Sequence, residues 1–165
     1  MAMPSLPRRQ LLLLSAGGFA AAMAGCRTTD VLSPSDGQSR VETTAALTMV
    51  NTLRQSRGLS ALSRNAQAEI AAVAQAKRMA RAGKMSHLIG FNDSFAARMK
   101  GHGVPLPAAE NIAAGQDTVQ RAVQAWIDSK RHLDNMLGNF NGLGVAVAWD
   151  SSSGNRPYWA MVLSA

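Results

Sequence analysis

The 165-residue chain has a single cysteine, Cys26, so no intrachain disulfide can form and its folded part must be held together by a core. It also lacks a long hydrophobic run. The uncharged apolar stretch from Leu11 to Ala24 is about fourteen residues, short of the ~20 that a bilayer-crossing helix needs. No run of lysine and arginine with interleaved aromatics is present, which argues against nucleic acid as a partner. No His-Glu-x-x-His helix occurs, so spacing alone announces no metal site. Internal repeats are absent as well.

What is present begins with an export signal. Arg8 and Arg9 precede the apolar stretch, and the small-residue junction Met23-Ala24-Gly25-Cys26 follows it, the order of a secretory signal peptide. The junction resembles the lipobox of bacterial lipoproteins, with Met23 where leucine is usual, so Cys26 reads as a lipid attachment point and not as a nucleophile. Two or three acyl chains there would anchor the protein firmly, whereas one binds only marginally. Arg8-Arg9-Gln10-Leu11 also resembles a twin-arginine signal, without its preceding Ser/Thr and following Phe. Arg27 stands where an aspartate would signal inner-membrane retention, which favours an outer membrane if the host has one.

The expected organisation is a signal peptide over 1–25, a polar lipoprotein tether over 26–40 with turn chemistry at Ser33 to Gly37, and one domain over 41–165. Losing the signal takes the formal charge from +7 to about +5, a modest excess suited to anionic envelope polymers or lipid headgroups.

Within the domain, Ala46, Met49, Val50 and Leu53 have helical spacing and predict a helix over Val41 to Arg57, closed by Gly58. A second, alanine-rich helix runs from an Asn65 cap through Ile70, Val73, Lys77 and Ala80 to Gly83. Asp117 and Gln120 resemble a capping box for a third, with Val119, Ala122, Val123, Trp126 and Ile127 on one face. Leu143, Val145, Val147 and Trp149 then alternate as a strand does. Turn chemistry at Asp150 to Gly154 and a second β-rich run, Tyr158 to Leu163, complete a hairpin. Helices that need a sheet to pack on give an α+β layered domain. Trp126, Trp149 and Trp159 all fall on apolar phases and are expected in the core; the nine methionines fill space and form no metal box.

Five segments in order resemble the CAP superfamily, also called the SCP or cysteine-rich secretory protein family, which includes antigen 5 and pathogenesis-related 1, in its bacterial form. They are Asn51 with Arg54 through Gly58-Leu59 and Leu62; Ala80 to His87; Glu110-Asn111-Ile112-Ala113 with Gly115; Trp126 to Leu137; and Gly144-Val145-Ala146 with Pro157-Tyr158-Trp159. The resemblance implies a three-layer α-β-α sandwich with a central antiparallel sheet, and a cleft holding two histidines and two acids. By position these are His87, Glu110 and His132, with Ser129 where many members have the second glutamate and Asp128 beside it.

On their chemistry, two neutral imidazoles and a carboxylate could hold zinc with an open position for water. That reading makes His87 and His132 the metal ligands and Glu110 a candidate general base for a metal-assisted hydrolase. No activated serine or cysteine nucleophile is apparent. Ser86 and Ser129 are merely adjacent to histidines. The first reading is instead a lipid-anchored binding module whose cleft takes a small ligand, a lipid or an envelope component; a purely structural envelope lipoprotein is the third. Read without the resemblance, Glu110 is a solvated loop acid. His102, between Gly101 and Gly103, reads as an exposed turn residue. Asn135 shares a helical face with His132 and either orients the imidazole or caps a neighbouring strand.

Overall fold

A computed structural model describes residues 37–91 and 93–165. The expected signal peptide, Cys26 and the tether as far as Asp36 lie outside the described residues. In chain order the elements are β1 (Ser39–Val41), α1 (Thr43–Ser56), β2 (Ser63–Arg64), α2 (Ala66–Ala82), α3 (Phe95–Gly101), β3 (Ala108–Ala114), α4 (Val119–Ile127), α5 (Lys130–Met136), β4 (Gly142–Ala148) and β5 (Tyr158–Ser164). Among these no helix is long and apolar enough to cross a membrane.

The sheet runs β1-β4-β5-β3, antiparallel throughout, and β2 adds a short parallel pair to β4. β4 and β5 form the expected hairpin, with Ala148 opposite Tyr158 and Gly142 opposite Ser164. The Asp150 carboxylate accepts from the Ser152 N–H and closes the turn between them. β3 lies at the edge, paired along its whole length with β5.

Because side chains alternate along a strand, each strand feeds two layers. Leu143, Val145, Val147, Trp159, Met161 and Leu163 face a layer of α1, α4 and α5, where Trp126 and Met136 are buried. Ala146, Ala148, Ala160 and Val162 face α2, whose buried stripe is Ala68, Ala71, Ala72, Ala76, Met79 and Ala80. The approach on this side is close. A Cβ on Gly144 would stand 2.2 Å from the Ala68 carbonyl carbon and the Glu69 nitrogen. Helices on both faces of an antiparallel sheet make the three-layer α-β-α sandwich expected.

α2 keeps its expected limits. The Asn65 side chain accepts from Ala68 N–H at 2.9 Å, and Gly83 ends the helix in the left-handed region at φ 61°. Its buried face differs from expectation, since Ile70 is 55 % exposed and the alanines turn inward. Only small side chains fit so near the sheet. α1 starts two residues later than expected because Val41 belongs to β1. Residues 39 and 40 are likewise strand and not tether. α4 is capped by Thr118, whose hydroxyl accepts from the Arg121 N–H at 3.3 Å; Asp117 pairs with the Arg121 side chain at the surface instead. Trp149 falls just past β4, half-buried, with the Arg40 guanidinium 5.6 Å from its ring. Trp126 and Trp159 are core as expected.

Two motif residues outside the sheet hold elements together. Asn51 exchanges hydrogen bonds with the Leu62 backbone, and the buried Arg54 guanidinium donates to the carbonyls of Ser60, Met136, Gly138 and Phe140. They fasten α1 to the segments around it and lie outside the cleft.

Candidate functional site

The site forms where β3 leaves the sheet edge open. Residues 84–91, between α2 and α3, run past that edge and place His87 against Glu110. Glu110 sits on the α2-facing side of β3 and is 6 % exposed, so it is a buried carboxylate and not a solvated loop acid. His87 Nδ1 is 2.9 Å from Glu110 Oε1. Arg98 of α3 grips the same carboxylate in two-pronged fashion, Nη1 donating to Oε2 at 2.8 Å and Nη2 to Oε1 at 2.9 Å. Nη2 also donates to the His87 carbonyl at 3.2 Å.

This pair is the inner end of a longer charge chain. Arg98 Nε lies 3.3 Å from Asp93 Oδ1, at ion-pair distance without hydrogen-bond geometry. Asp93 is held in turn by Arg78 of α2 and accepts from the Ile89 N–H at 2.7 Å. Gln75, also on α2, donates to the Ser86 carbonyl at 2.8 Å. Residues 84–91 and Asp93 are therefore pinned to α2, α3 and β3 by charged and amide groups, most of them out of water. Burial pushes the Glu110 carboxyl up, but the hydrogen bonds from His87 and Arg98 and the charge of Arg98 outweigh it, and the net direction is down. Glu110 is held ionised.

The other wall belongs to α5. His132 is half-buried, and its backbone carbonyl accepts from Asn111 Nδ2 at 3.0 Å. Asn135 donates to Asn111 Oδ1 at 2.8 Å and reaches the Glu110 carbonyl at 3.5 Å. Asn135 thus braces the edge strand and leaves the imidazole alone, which resolves the two roles open for it. Burial lowers the His132 pKa, and the charges of His87 and Arg131 lower it further. The ring is kept neutral.

Between these walls lies a cleft of about 460 Å³ lined by Met85, Ser86, His87, Leu88, Ile112 and His132. Both histidines expected at the site line it, and Glu110 stands directly behind His87. Ser129 does not; it is the residue before α5 and makes no side-chain cap. The Asp128 carboxylate accepts from Gln124 at the surface. Neither replaces the missing acid. His102 caps α3, away from the cleft walls.

The residues fit a catalytic zinc ion poorly. Such sites use three protein ligands, and here only two are left: the His132 ring and His87 Nε2, whose Nδ1 bond to a carboxylate is ordinary for a metal-bound histidine, while both Glu110 oxygens are bonded to Arg98. Among the described residues no group of three or more His, Cys, Asp or Glu is arranged to hold a metal ion. What faces the cleft is a pair of imidazoles whose remaining ring nitrogens make no hydrogen bond to the described protein. Both Glu110 oxygens are engaged and the residue does not line the cleft, so it is not placed to act as general base there.

Arg98, Arg78 and Asp93 were not legible as site residues. The hint is local: Ser94, an N-cap residue type, opens the short helix that carries Arg98, and its hydroxyl accepts from the Ala97 N–H. Nothing in the sequence separates Arg98 from the other cations among seventeen.

Comparison with known proteins agrees with this architecture. The solved structures it resembles include an extracellular protein containing an SCP domain from Bacillus anthracis, 24 % identical over 74 % of this chain and 39 % of that one, with a TM-score of 0.64. An outer surface protein of Borrelia burgdorferi is 16 % identical over 77 % of this chain and 98 % of its own, TM-score 0.61. A cysteine-rich secretory protein of Staphylococcus aureus is 18 % identical over 74 % and 37 %, TM-score 0.57. The chain thus spans well under half of the Bacillus and Staphylococcus proteins. No curated protein sequence matches it significantly. The sequence model of the cysteine-rich secretory protein family, CAP, matches residues 47–163, from within α1 to within β5, and this chain belongs to that family.

Proposed function

We propose that the protein is an exported, lipid-anchored CAP-domain binding module, whose cleft takes a small amphiphilic ligand, a lipid or a piece of the cell envelope. The observation that carries this reading is the locked Arg98–Glu110–His87 arrangement. It fixes the His87 ring at one nitrogen and turns the rest of the ring, with neutral His132, toward a cleft otherwise walled by Met85, Leu88 and Ile112. Fixed polar atoms in an apolar wall are the makings of a ligand site. The lipobox-like Met23 to Cys26 supports the anchor, and the extracellular and outer-surface descriptions of the Bacillus and Borrelia relatives support an extracytoplasmic location. The hydrolase reading gains nothing from the cleft, since Glu110, its candidate base, is tied to Arg98.

The test is thermal unfolding of the full chain with three probes: short-chain phosphatidylglycerol, a peptidoglycan fragment, and zinc chloride alone. Stabilisation by the lipid or the glycan that is lost in His87→Ala and His132→Ala is expected. Saturable stabilisation by zinc alone, abolished by either substitution, would count for the metal reading. Lower stability in both variants with no probe effect in any protein would leave a structural role.

A further inference from the structure

The segment that walls the cleft also carries three of the exposed large apolar side chains described, among them the most exposed, Phe91. Phe91 is 95 % exposed, Leu88 57 % and Met85 54 %. They stand at the first, fourth and seventh places of Met85-Ser86-His87-Leu88-Ile89-Gly90-Phe91. A single exposed leucine is ordinary, but an aromatic and two aliphatics projecting from one tightly pinned loop are not. The pinning matters: Arg78, Asp93, Arg98 and Gln75 fix the course of this loop across the domain, with Met85, Leu88 and Phe91 left facing outward.

Charge tells what covers them. Lys84, next to Met85, and Arg131, next to the cleft's His132, are exposed, and neither has a carboxylate within ion-pair distance among the described residues. Asp93 and Glu110, the acids bonded to the loop, are already matched by arginine, and Asp134 on α5 by Lys130. The face is therefore apolar at its tip and positive at its margin, the pattern of a surface that rests on anionic headgroups.

Chain length agrees. The chain enters the described domain at β1, at the sheet edge opposite β3. Twelve residues lie between Cys26 and Ser39, enough to span ~45 Å when extended, against a radius of gyration of ~14 Å for a domain this size. Extended, the tether is about three times that radius.

We propose that Met85, Leu88 and Phe91 dip into the outer part of an anionic bilayer, with Lys84 and Arg131 on the headgroups, so that the cleft mouth opens against lipid. This rests on the lipid-anchored reading above and names a bilayer lipid as the class of molecule the cleft meets. The loop, and not the tether alone, sets the orientation of the domain.

The test uses full-length lipidated protein reconstituted in phosphatidylethanolamine–phosphatidylglycerol vesicles. Acylation leaves no free thiol at Cys26, so Phe91→Cys carries a single environment-sensitive fluorophore, and Gln120→Cys, on exposed α4, serves as reference. Mass spectrometry of the acyl group reports the anchor separately. Expected is blue-shifted emission at position 91, quenched by a lipid-borne quencher, with water-like emission at position 120. Adding Leu88→Ser should lower the inserted-to-free ratio about tenfold, and Lys84→Glu should lower it further in low salt. Water-like emission at both positions in an acylated, vesicle-bound protein would overturn the proposal while leaving the anchor intact. A shift at position 91 that grows with protein concentration and needs no vesicles would also overturn it, in favour of a second copy covering the loop. A shift on vesicles in a chain found unacylated would uphold the loop and sink the anchor.

Discussion

Against α2 the sheet presents mostly small residues, Gly144, Ala146, Ala148 and Ala160 with Val162, and the helix answers with alanines and Met79; against α1, α4 and α5 it presents valine, leucine, methionine and Trp159, met by Trp126. The α2 side gains by bringing backbones close and filling space with many small contacts. The other side gains by removing large apolar areas from water, with Trp126 Nε1 donating to the Ile112 carbonyl and Trp159 Nε1 to that of Gln116. The two faces therefore fail in opposite ways, one when an atom is added and the other when atoms are removed. Glu110 is an exception on the α2-facing side of β3, a charge where its neighbours along the sheet are apolar.

The largest effect should come from removing atoms on the bulky side. Trp126→Ala should cost ~5 kcal/mol, the top of the range for such truncations, because it leaves both a cavity and an unpaired Ile112 carbonyl; denaturant unfolding measures it. Next is Arg98→Ala, which leaves Glu110 buried without its cation and should cost about 4 kcal/mol at neutral pH. Its signature is a rise in the Glu110 pKa, followed by carboxyl NMR, and an unchanged Glu110 pKa would remove Arg98 from the account. Adding one carbon on the close side, Gly144→Ala, should cost ~3 kcal/mol, since the atoms it meets are α2 backbone and cannot turn aside. A cost near that of a surface change would break the contrast between the faces. Asn65→Ala, which removes only the α2 cap, should cost ~1 kcal/mol.

Acid should unfold the protein through the site before it affects either core face. Glu110 has a folded-state pKa below its unfolded value, so its contribution is complete above the ordinary carboxylate pKa and is lost as pH falls through the folded one. His132 has a lowered pKa, so the unfolded chain takes up its proton first, and stability falls as pH drops from about 6.5 toward the folded value. Both slopes have the same sign. Melting temperature against pH should decline from near pH 6.5 downward, and His132→Ala should flatten the upper part of that decline.

Much of the architecture was readable because local rules and tertiary packing agree. Asn65 and Gly83 bound α2 as cap chemistry requires, and the alternation through Leu143, Val145 and Val147 marks a strand whose two faces differ in size. The exceptions have identifiable causes. Ile70 satisfies a helical period yet faces water, because the sheet at Gly144 comes too near for anything but alanine. Trp149 keeps the alternation but falls after the last ladder pair, so its ring turns to Arg40. Asp117 was a capping residue by type, and Thr118 took the position because the helix starts one residue later.

The sequence alone determined the periods, the caps, the hairpin and, through its resemblance, the positions of His87, Glu110 and His132, because these depend on residue type and spacing within short segments. Only the tertiary structure decided what those residues are. Segment 84–91, α3, β3 and α5 meet at the sheet edge from distant parts of the chain, and there a cation indistinguishable by sequence from its neighbours becomes the clamp on Glu110. A carboxylate that spacing alone leaves free to bind metal or take a proton is, once buried beside Arg98, an ionised anchor for His87.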